Sequence, residues 1–131
     1  MRLAALFLAL SFGSSAFAQE EPIQETIQNQ TTAFQADDFV TAFTFASPNI
    51  QRIFGTAENF GVMVRQGYPM VYRPSKVEML DLRDIAGDLW QRVRIVDQAG
   101  QSHYLGYMMI ETPDGWQINA VQLMPAPEIG V

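Results

Sequence analysis

The chain has 131 residues, no cysteine, and 14 acidic side chains against 8 basic ones, for a net charge of −6. These counts exclude disulfides, thiolate nucleophiles and zinc-thiolate sites. They also oppose contact with phosphate backbones or anionic bilayers, so neither nucleic acid nor a membrane surface is an expected partner.

The N-terminus reads as an export signal. Arg2 is followed by the apolar run 3–12, and Ala16-Phe17-Ala18 has the small-x-small pattern of a cleavage site. The run is shorter than the roughly 20 residues that span a bilayer, so cleavage after Ala18 and release from the membrane are expected. Removing this 18-residue leader (1–18) leaves 113 residues, a single domain over 19–131 with a net charge of −7. A chain of that length can bury one core without staples. Its expected location is the periplasm or the exterior.

In chain order, Glu20, Glu21 and Pro22 suit the start of a helix over 22–35, with Ile23, Ile27, Thr31 and Phe34 as its apolar stripe. Asp38 can cap a second helix. There Phe39, Val40, Ala42, Phe43 and Phe45 surround the axis, predicting an element near the middle of the core. The stretch 46–74 is the most densely signposted. Ser47 and Pro48 start a helix that Gly55 ends; Thr56 starts another that carries Phe60, Met63 and Val64, with Gly67 as a left-handed terminator. Residues 70–72, bounded by Pro69 and Pro74, predict a short edge strand.

Strands follow. Over 77–82, Leu80 and Leu82 oppose Val77 and Met79; over 89–97, Leu89, Val93 and Ile95 oppose Trp90, Arg92 and Arg94. Residues 97–100 and 112–115 are glycine-bearing hairpin turns. Over 101–111, Tyr104, Met108 and Ile110 oppose Leu105, Tyr107 and Met109, predicting a central strand covered on both sides. Over 116–123, Trp116, Ile118 and Ala120 oppose Val121 and Leu123. Residues 125–131 are expected to be a loose tail. The whole is an α+β domain with N-terminal helices packed on a curved antiparallel sheet, whose second face needs a partner: a second copy docked sheet to sheet, or a ligand. Trp90 and Tyr107 are the positions where a new charge should break such a contact.

The order Ser47-Pro48, Phe54-Gly55, Met63-Val64, Gly67-Tyr68-Pro69 and Asp114-Gly115-Trp116 resembles the small exported bacterial family called domain of unknown function 4864. The resemblance implies the cone-like nuclear transport factor 2-like (cystatin-like) fold, with a pocket inside the cone and frequent dimers. It implies no catalytic residue and no cofactor.

Among single residues, His103 is the only histidine, which excludes a multi-histidine metal site. Its neighbour Ser102 points to the opposite strand face, which excludes a direct serine–histidine pair. Asp81, Asp84 and Asp88 lack the spacing of a calcium loop. The candidate ligand-binding residues are Tyr72, Trp90, Arg92, Arg94, Tyr104, Tyr107 and Trp116, aromatic walls and cations whose bland alternative is packing and pairing with Glu78 or Glu111. The reading is a non-enzymatic binding module for a small apolar or aromatic ligand or a protein partner. Its alternative is a cofactor-independent acid–base catalyst, isomerase- or hydratase-like, using a tyrosine and an inward carboxylate such as Glu78 or Asp81.

Overall fold

The computed structural model describes residues 15–127. Most of the expected export signal therefore lies outside the described residues, as does the end of the expected tail. Five helices precede four strands: α1 (Ser15–Gln35), α2 (Phe39–Thr44), α3 (Pro48–Phe54), α4 (Ala57–Gly67), α5 (Pro69–Tyr72), β1 (Lys76–Ile85), β2 (Asp88–Val96), β3 (Ser102–Thr112) and β4 (Gly115–Met124). The strands form an antiparallel meander in the order β1-β2-β3-β4. This is an α+β architecture with helices against one face of the sheet.

Local chemistry sets most of the helix boundaries. Asp38, Ser47 and Thr56 each accept a hydrogen bond from the backbone N–H three residues on, satisfying one of the donors that a helix start leaves open. Gly55 ends α3 at φ 79°, where a side chain would be strained. Gly67 does not act in this way: α4 runs through it, and Tyr68 caps the helix in an ordinary conformation with φ −136°. Residues 70–72 are helical and not a strand, because Pro69 sits at the first position of α5, where its missing N–H costs nothing. Helix α1 begins before Pro22, which lies inside it. Starting the chain at Gln19 would bring Pro22 into the first turn, where helices tolerate it.

The face expected of each strand is altered by two irregularities. A bulge between Met79 and Leu82 sets Leu80 and Asp81 together opposite Arg92, so Val77, Met79 and Leu82 all pack against the core. A second register shift leaves Asn119 unpaired, so Trp116, Ile118, Val121 and Leu123 share one face and Ala120 joins the other. Period-two reading across either site fails for that reason. Unbroken β2 and β3 follow it: Val93, Ile95, Leu105, Tyr107 and Met109 are buried, while Trp90, Tyr104, Met108 and Ile110 are only partly covered. β3 is therefore covered by helices on one side only. Helix α2 is likewise more peripheral than expected, with Ala42 buried but Val40 70% exposed.

The helices meet the sheet at the link between α2 and α3. The Ser47 N–H donates to the Ile118 carbonyl at 2.8 Å and the Ile118 N–H to the Phe45 carbonyl at 2.8 Å, a parallel bridge on the open edge of β4. The Ser47 hydroxyl, fully buried, donates to Asn119 Oδ1 at 2.6 Å while it caps α3. Ser47→Ala should therefore cost about 2 kcal/mol, since it loses a cap and the hydrogen bond to the half-buried Asn119 acceptor. Thr56→Ala, at an exposed cap, should cost about 1 kcal/mol. Urea midpoints of the two variants check the difference.

Candidate functional site

The helices do not fill the space above the β3–β4 half of the sheet, and they leave a cavity of about 460 Å³. Its walls are Gln30 and Phe34 from α1, Ile50 and Phe54 from α3, and Phe60, Met63 and Val64 from α4, with Tyr68 and Val71 beyond; Tyr107, Ile118 and Val121 form the floor. Phe60 organises the aromatic wall, with its ring centroid 5.9 Å from Phe34, 5.2 Å from Phe43 and 5.8 Å from Phe54. These are tilted and edge contacts, the favourable geometries for aromatic pairs. Close approach of α4 to α2 depends on Gly61, where a Cβ would stand 2.7 Å from the Phe39 ring.

Tyr107 is 1% exposed, and its hydroxyl makes no hydrogen bond to any described residue. Burial pushes its pKa well up, and the neighbouring Tyr68 phenol adds to the effect. It therefore stays a protonated donor throughout the physiological range. Among the described residues, no carboxylate, imidazole, ammonium or guanidinium lines the cavity.

The other candidate residues divide among three places. Trp90, Arg92, Arg94 and Tyr104 stand together on the outer face of the sheet, with Arg94 directly across from Tyr104. Gly106 lies between them, roofed by the side chains of Trp90 and Met124; a Cβ there would collide with Met124 and meet the Trp90 ring at 3.1 Å. Arg92 pairs with Asp81 at 2.7 Å, and Arg94 pairs with Glu78 at 3.1 Å and not with Glu111. Glu78 and Asp81 thus face away from the cavity. Burial raises the Asp81 pKa, but hydrogen bonds from Arg92 and Arg83 outweigh it and hold the carboxyl low.

Tyr72 is far from this face. Its hydroxyl donates to Asp37, whose carboxylate also accepts from Arg73, and Arg73 reaches the Phe34 carbonyl at 2.8 Å. This clamp ties the end of α1 to α5 and holds Asp37 at φ 56°. Trp116 lines a separate cleft of about 580 Å³ with Pro22, Glu25 and Asp114. His103 contacts Asp97 at 2.8 Å, and Asp97 also accepts the N–H groups of Ala99 and Gln101, so this pair braces the β2–β3 turn. Of the seven candidates, only Tyr107 reaches the cavity. Phe34, Phe60, Tyr68 and Gln30 were not among them, although the Phe60, Met63, Val64 spacing marked one wall.

A small α+β protein with helices over one face of an antiparallel sheet and an apolar cavity between the layers is the class defined by these features. Within it, the chain belongs to the family described as domain of unknown function (DUF4864), whose model matches residues 16–131. Comparison with curated proteins and with solved structures returns no match. No described helix is long and apolar enough to cross a membrane.

Four carboxyls are held below their ordinary value of 3.8: Asp37 by the Tyr72 hydroxyl and then Arg73, against the opposing effect of burial; Asp38 by Thr41; Asp81 as described; and Asp97 by His103 and then the Gln101 N–H. Each binds its proton more weakly in the folded than in the unfolded chain. Its contribution to stability is complete above the unfolded value, near 4, and is lost as pH falls through the lower folded value. The urea midpoint should therefore drop below about pH 4, and Asp97→Asn should make that drop shallower.

Proposed function

We propose that this chain is an exported, non-enzymatic binding module that holds a small apolar or aromatic ligand in the cavity beneath α3 and α4. The observation that carries the reading is the cavity itself. Its volume falls in the range of small-molecule sites, its walls are Phe, Met, Ile and Val, and its polar groups are few. An acid–base catalyst of the tyrosine–carboxylate type would need an ionisable carboxylate facing the ligand. Glu78 and Asp81, the carboxylates considered for that role, are engaged by arginines on the opposite side of the sheet. The proposal includes a nuclear transport factor 2-like fold, for which the helix-covered antiparallel meander is the support.

Protein recovered from the exported fraction and sprayed under native conditions should begin at Gln19 and carry a noncovalent adduct that is lost on denaturation. The adduct should also be missing from Met63→Trp, whose indole fills the cavity. A bare wild-type chain that takes up no added apolar fluorophore such as Nile red would sink the binding reading. A chain that begins at Met1 would sink the export reading.

The outer sheet face favours a second, compatible reading: self-association through Trp90, Tyr104, Met108 and Ile110, which no helix covers. Tyr107 has no part in it, because it is buried beneath the helices. Light scattering should give a dimer at micromolar concentration for the wild type and a monomer for Trp90→Asp; a wild-type monomer rejects the idea.

A further inference from the structure

We propose that the cavity selects an apolar ligand bearing one neutral hydrogen-bond acceptor, a ketone or ester oxygen, which seats on the Tyr107 hydroxyl. This rests on the binding reading above and specifies the chemistry of its ligand. A buried phenol without a partner forfeits about 1–3 kcal/mol relative to one that is hydrogen-bonded, and phenylalanine would pack the same space without that loss. Tyr107 is nevertheless 1% exposed on the cavity floor, and its hydroxyl, which has no hydrogen-bond partner among the described residues, is not one of the fully enclosed polar atoms and so borders the open space.

The other polar groups of the lining are already occupied or wet. Gln30 Nε2 donates to the Ala42 carbonyl at 3.2 Å, and Asn119, which is partly exposed, accepts from Ser47 at Oδ1 and leaves its amide N–H groups to solvent. Tyr68 is partly exposed, so solvent can satisfy its hydroxyl. Tyr107 is therefore the donor whose hydrogen bond a ligand must supply when it displaces solvent from the cavity floor. Its raised pKa keeps it a donor and not a base.

The lining also fixes the charge of the acceptor. Among the described residues no lysine, arginine or histidine lines the cavity, so a carboxylate drawn down to Tyr107 would lose its hydration without gaining a counter-ion. A carbonyl oxygen loses far less on entry. The apolar body of the ligand then lies against Phe34, Phe60 and Val64.

The test uses the mature chain with 2-acetylnaphthalene, its acceptor-free analogue 2-ethylnaphthalene and the anion 2-naphthoate, titrated calorimetrically into wild type, Tyr107→Phe and Tyr68→Phe. The ratio of ketone to hydrocarbon affinity should fall about 3- to 10-fold in Tyr107→Phe, the value of one net hydrogen bond. It should hold in Tyr68→Phe, and naphthoate should bind more weakly than the ketone. Undiminished hydrocarbon binding shows that Tyr107→Phe is folded with its cavity intact. The carbonyl stretch of the bound ketone should lie at lower frequency in wild type than in Tyr107→Phe. An unchanged affinity ratio and carbonyl band in Tyr107→Phe, or naphthoate binding tighter than the ketone, overturns the acceptor proposal alone. Binding of none of the three probes overturns the cavity reading with it.

Discussion

The bridge between Ser47 and Ile118 is the contact on which the helical layer depends. The α2–α3 link runs along the edge of β4 and exchanges two backbone hydrogen bonds with it, so a six-residue helix and a seven-residue helix are fixed to the sheet at their shared end. Helices that short cannot hold themselves in water. Their carbonyls are satisfied from outside: Gln30 bonds Ala42, Gln51 bonds Phe43 and Ala46, and Gln117 bonds Thr44. Three glutamines from three elements thus meet the acceptors that the end of α2 leaves open.

The same anchoring accounts for the cavity. α3 and α4 hang from the link at one end and from the Tyr68-Pro69 corner at the other, so they arch over β3 and β4 without lying flat on them. The Asn119 bulge turns the strand beneath. Aromatic contacts around Phe60 hold the arch up from inside, while Gly61 sets how closely α4 can approach α2. Interiors normally close to crystal-like density, so open space bounded by such specific packing is a built feature of this layer arrangement.

Much of this was legible in the sequence because caps and turns act locally. Asp38, Ser47, Thr56 and Gly55 announce their helix ends through chemistry within four residues, and the alternation in β2 and β3 reports their faces directly. Long-range partners were not legible. Gln30 looks like one more polar residue on a glutamine-rich surface until Ala42 is placed beside it. Nothing local distinguishes Asn119 as a bulge or shows that Asp81 would turn to Arg92. Residues 70–72 are ambiguous in sequence because prolines bound edge strands and start helices equally well. For the site, Tyr107 was visible as an aromatic on a strand, but its hydroxyl's lack of a partner among the described residues emerges only when α1, α3 and α4 are in place.

The position of the bridge also sets the order in which the molecule can form. The meander's hairpins are local and can pair as soon as each is made, but Ser47 and Asn119 are separated by 72 positions. The helical half, synthesised first, has no edge to dock on until β4 emerges. During translation the early part of the chain therefore remains unlocked, and closure comes as a late step that completes helices, sheet and cavity together. A polypeptide that stays open until its far end appears remains threadable throughout its synthesis, the form that the proposed export would require.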